Sequence, residues 1–174
     1  YLAQFISLII HPLFLYFFML LTVMTFLPFL FYNMDTQAQN KMLILNAIYT
    51  ILFPSVAIFL LYKLELIGSV QMDNSKDRIG PYIASAIFYS WTYINLRNSP
   101  LMPEIMTTAL LGVLIGLYLG FFINNFDKIS VHGMGTGGLL AFTWLLNLEY
   151  GSERLFQLNV GGLMYGIYPS ALFV

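Results

Sequence analysis

The chain contains no cysteine, which excludes disulfides, thiolate metal sites, cysteine nucleophiles and iron–sulfur clusters together. Charge is almost as scarce: 9% of the 174 residues are Asp, Glu, Lys or Arg, and the net charge is −1. With no cationic excess and no Lys/Arg cluster, the chain has no electrostatic footprint for nucleic acid, which is excluded as a partner. Histidine occurs only at His11 and His132, and no aspartate follows Asp127. So few ligating groups predict neither a metal site nor a cofactor. His11, with no other titratable group near it in sequence, reads as a structural or interfacial residue.

What the chain has in abundance is apolar surface. Hydrophobic residues make up 59% of the sequence and mean hydropathy is +0.79, well above the apolar share of about 45–50% in soluble domains. A hydrocarbon core of about 30 Å needs roughly 20 apolar residues at 1.5 Å rise each. The sequence supplies such runs repeatedly, which predicts one domain over residues 1–174, an all-α bundle of about six transmembrane spans. The spans are placed at Pro12 to Phe31, Met42 to Leu64, Pro81 to Leu96, Glu104 to Ile123, His132 to Leu148 and Leu155 to Val174. A short interfacial segment precedes Pro12, and because the first apolar stretch is long and lacks a basic leader, it reads as a retained anchor. Pro54 lies inside the second span, and Pro81 fits the first helical position of the third.

Polar loops separate the spans. Asn33 to Lys41 forms the first, and Glu65 to Gly80, with Asp73, Asn74, Lys76, Asp77 and Arg78, is the longest. Lys and Arg divide four to three between the two faces, so they set no absolute orientation. The count of spans does place the second and fourth loops on one face, bringing Lys76 and Arg78 to the side of Lys128, Ser130 and His132. Gly112, Gly116 and Gly120 recur every four residues, as do Gly162 and Gly166, a spacing that lets a second helix backbone approach closely. Membrane lipids and partner transmembrane helices are the expected neighbours. Ionisable groups are nearly absent from the middle of the spans, which argues against a transport path.

The stretch Asp127 to Gly138 brings a cation, a hydroxyl and an imidazole to the start of a glycine-rich helix. A helix start exposes unpaired N–H groups and partial positive charge, so Lys128, Ser130, His132 and the backbone at Gly133 form a candidate anion site, with Lys76 and Arg78 approaching from the second loop. No strand precedes the glycines, so they do not form a dinucleotide fingerprint.

These residues resemble the integral-membrane branch of the type 2 phosphatidic acid phosphatase superfamily, in particular its small bacterial members with a Lys-Ile-Ser-x-His-x-x-Gly-x-Gly-Gly signature, here Lys128 to Gly138. Ser130 and His132 match the Ser and His of the family's Pro-Ser-Gly-His motif, with Ile129 and Val131 in place of its Pro and Gly. Lys76, Arg78 and Pro81 resemble a compressed Lys…Arg-Pro motif. The resemblance implies a bacterial inner-membrane protein that hydrolyses a phosphate ester of a lipid or polyprenyl substrate. It also implies that Lys76, Arg78, Lys128 and Ser130 grip phosphate while His132 protonates the departing alcohol. The family's third motif, Ser-Arg-x5-His-x3-Asp, which carries the nucleophile, has no counterpart. Ser152 and Arg154 should emerge on the face opposite His132. Two readings therefore stand: a lipid-phosphate phosphatase, or a non-catalytic membrane subunit of the same fold.

Overall fold

The prolines mark where the backbone changes course. In the computed structural model, which describes residues 11–69, 72, 74–127, 129–150 and the backbone of 156–160 and 163–167, Pro12 opens the first helix, α1 (Pro12–Phe26). Its missing N–H is harmless at a helix start, and His11 caps the turn by accepting the Leu13 N–H at Nδ1, 3.3 Å away. Pro28 then begins a short 3₁₀ turn, Pro28–Phe31. The expected first span, Pro12 to Phe31, is thus divided at Leu27.

The second helix, α2 (Thr36–Lys63), starts six residues before the expected Met42, because Asp35 provides a side-chain cap, its Oδ1 accepting the Ala38 N–H at 2.6 Å. Pro54 has no N–H to donate four residues back, and a π turn over Ile48–Leu52 immediately precedes it. The helix passes through this defect without ending.

The third helix also starts earlier than expected. α3 spans Ser75–Leu96, with Pro81 buried in its interior rather than at its first position. Lys76, Asp77 and Arg78 therefore belong to a helical first turn and not to a loop. α4 (Glu104–Asn124) and α5 (Val131–Tyr150) follow the expected fourth and fifth spans closely.

The sixth expected span is corrected. Residues Phe156–Val160 and Leu163–Ile167 form two antiparallel strands, β1 and β2, with Val160 opposite Leu163 and Phe156 opposite Ile167. Phe156, Leu158 and Val160 alternate with Gln157 and Asn159, a period of two rather than 3.6, and the residues between the strands are both glycine. Gly162 lies outside the described residues, and Gly166 sits in β2 instead of on a helix face.

α1 occupies the centre. Tyr16, Met19, Leu20, Val23 and Leu27, which recur along one helical face, are all buried and pack with Phe31, Tyr89, Met106, Leu110 and Leu146 into one core. α3 packs against α2 and α4, while α1 touches α2, α4 and α5. Among the described residues, only α2 and α4 are long and apolar enough to cross a membrane by length and composition, so six spans are not supported. In each, just 22% of the apolar window is buried inside the fold. Their outer faces display Leu52, Phe59 and Leu60 on α2, and Ile115, Leu119 and Phe122 on α4.

Candidate functional site

One end of the bundle gathers three helix starts. Arg78 in the first turn of α3 reaches two loop carbonyls, its Nε donating to Met72 O at 2.9 Å and its NH1 to Ile129 O at 2.5 Å. Met72 is held at φ 54°, a left-handed conformation unusual for a side chain of this kind, which places its carbonyl within reach of the guanidinium. Asn124, at the end of α4, donates to Ser75 O at 2.8 Å. The second and fourth connections thus meet at one end, where counting the spans placed them.

His132 is the second residue of α5 and lies edge-on to His11, with ring centroids 5.6 Å apart. The two histidines, separated by most of the chain, are brought together at the starts of α5 and α1. Burial lowers the pKa of His11 below its ordinary value, and the neighbouring His132 lowers it further. His11 therefore favours the neutral form. Because Nδ1 accepts the Leu13 N–H, the proton of this neutral ring belongs on Nε2, which makes His11 a hydrogen-bond donor.

Behind these groups runs a cavity of about 570 Å³, lined at one end by His11, Arg78, Ser130 and His132 and elsewhere mostly by apolar side chains of α1, α3, α4 and α5. Glycine hollows it out. Gly112 and Gly116 on α4 and Gly138 on α5 all line it, and a methyl group added at any of them would meet no atom within 4 Å. The close backbone approach expected at Gly112 and Gly116 is therefore absent. Gly120 alone of that series is tight: a Cβ there would fall 2.5 Å from Met134 Cε and 3.1 Å from the Tyr82 ring.

The other expected site residues divide. Ser130 caps α5, its Oγ accepting the Gly133 N–H at 3.1 Å, so that N–H is committed to the helix end rather than open to an anion. Lys76 is exposed and does not line the cavity. Lys128 lies outside the described residues, as do Ser152 and Arg154. His11 and Tyr82 also belong to the cavity, and nothing in the local sequence of His11 points there. For Tyr82 the available signal was its place four residues beyond Arg78 on the same helical face.

The arrangement offers a cation, two imidazoles and three helix starts at the mouth of an apolar slot, a geometry suited to an anionic head followed by a hydrocarbon tail. No family model, no curated protein and no solved structure matches this chain.

Proposed function

We propose that this chain is an integral membrane protein that takes up a lipid carrying a phosphate-type head and hydrolyses its phosphate ester. The observation that carries the reading is the placement of Arg78, His11 and His132 at the polar end of a cavity whose remaining wall is apolar. Two of Arg78's five N–H donors bind loop carbonyls, which leaves three for an oxyanion. His132 is the group to protonate a departing alkoxide, as the resemblance to lipid-phosphate phosphatases implies. The exposed apolar faces of α2 and α4 support embedding in a bilayer, and the same resemblance supports the bacterial inner membrane, to be checked by fractionation.

The test uses the full-length protein in detergent with a long-chain alkyl phosphate, the corresponding alcohol serving as control. The wild type is expected to bind the phosphate in preference to the alcohol and to release inorganic phosphate. Arg78→Ala should weaken binding about tenfold or more, as expected for a charge-assisted contact. His132→Ala should abolish release while leaving much of the binding. Turnover insensitive to His132→Ala would overturn the hydrolytic assignment.

A second reading, a non-catalytic lipid-binding subunit, is favoured by Ser130, whose hydroxyl is engaged as a helix cap. It predicts preferential binding of the phosphate with no release at any pH.

A further inference from the structure

Among the described residues, three tyrosines are buried in the bundle: Tyr16 at 0%, Tyr89 at 1% and Tyr82 at 4% exposure. Tyr16 donates its hydroxyl to Met106 O at 3.2 Å, and Tyr89 donates to Leu13 O at the same distance. Each thus uses its polar end to tie one helix to another. The Tyr82 hydroxyl is buried and has no hydrogen-bond partner. Native folds rarely leave a buried hydroxyl unpaired, and such a group calls for a ligand or a function.

The position of Tyr82 says what that ligand would offer. Arg78, Tyr82, Ser85 and Tyr89 follow one another at intervals of three or four residues along α3, and all line the cavity. Tyr82 therefore stands one turn, about 6 Å, deeper than the Arg78 backbone. Its ring is held by Gly120 on α4, where a Cβ would come within 3.1 Å of it, and Met134 on α5 crowds the same glycine. Ser85, only 5% exposed, lies in the following turn. Below the charged mouth the cavity thus has a second polar tier before its wall becomes apolar.

We propose that Tyr82 is a specificity-determining residue of this cavity, its hydroxyl, closed off in the ligand-free fold, turning toward the opening to donate to an acceptor oxygen set about one helical turn beneath the anionic head of the bound lipid. The preferred ligand class is an anionic amphiphile with an ester, ether or hydroxyl oxygen close to its phosphate. A phosphate joined directly to an unbroken hydrocarbon chain leaves the tier unpaired. This rests on the reading of the cavity as a lipid-phosphate site.

The experiment compares a 1-acyl glycerol phosphate with an alkyl phosphate of matched chain length, using the full chain in detergent and its Tyr82→Phe variant. Wild type should bind the acyl glycerol phosphate about three- to tenfold more tightly, and Tyr82→Phe should erase that preference while binding the alkyl phosphate unchanged. Without ligand, Tyr82→Phe should unfold at the same temperature as wild type or higher, since an unpaired hydroxyl is removed. Equal discrimination in wild type and variant, or a loss of ligand-free stability in the variant, would overturn the assignment. Failure of wild type to prefer alkyl phosphate over the corresponding alcohol would instead overturn the lipid-phosphate reading, and the role of Tyr82 with it.

Discussion

At the scale of single residues, His11 shows how much of the site depends on the fold. Nothing within the local sequence marks it, because its partner His132 lies on α5 and only packing α1 against α5 brings the rings together. By contrast, the meeting of Arg78 with the stretch around Ser130 and His132 was legible, since counting spans assigns each connection to a face. The pairing has a consequence for pH. The His11 pKa is depressed from 6.5 by burial and by the neighbouring imidazole, so just below that value the unfolded chain binds a proton that the folded chain refuses. Stability contributed by neutral His11 is present above about pH 6.5 and declines as pH falls through the unfolded value toward the lower folded one. Thermal unfolding in detergent between pH 8 and pH 5 should show this decline. His11→Asn keeps an acceptor for the Leu13 N–H and removes the titration, so its unfolding temperature should vary less over the same range. An unchanged pH dependence in the variant would assign the effect to another group.

At the scale of elements, the helix starts at Pro12 and Glu104 are legible in the sequence, whereas those of α2 and α3 fall earlier than expected because their polar first turns resemble loop, and Pro81 lies inside α3 rather than opening it. Asp35 and Asn74 precede the true starts of α2 and α3, and in both cases the polar residues behind them are helical. The hairpin at residues 156–167 was missed for a different reason: an apolar run with glycines at a four-residue interval also fits a packed helix, and only its alternation distinguishes it. The glycines of α4 carry the same ambiguity. A four-residue interval shows that they share a face, but not whether that face meets a backbone or an opening. The structure separates the cases, and two substitutions test it. Gly116→Ala places a methyl where nothing lies within 4 Å and should stabilise the helix by about 0.5–1 kcal/mol. Gly120→Ala drives a methyl into Met134 and the Tyr82 ring and should destabilise by about 1–3 kcal/mol. Chemical unfolding of the two variants side by side should give opposite signs, and a destabilised Gly116→Ala would mean that α4 is packed there against something.

At the scale of the whole molecule, composition made the apolar character unmistakable, yet it overstated the number of helices able to cross a bilayer. Sequence hydropathy sums over a run regardless of where the backbone turns, whereas a spanning helix requires the run and the helix to coincide. They do so in α2 and α4, and not in α1, which ends at Phe26 before the apolar run is exhausted. The direction of the chain nevertheless makes a definite demand on topology. Gly68 and Asn125 lie in the two connections that meet around Arg78, while Asn98 lies in the turn between α3 and α4 at the far end of both helices. All three are exposed, and the native chain has no cysteine to give background. Single variants Gly68→Cys, Asn125→Cys and Asn98→Cys in sealed vesicles should therefore divide cleanly toward a membrane-impermeant thiol reagent. The first two should react from one side and the third only from the other. Labelling of all three from a single side would mean that α3 and α4 lie on the membrane rather than through it.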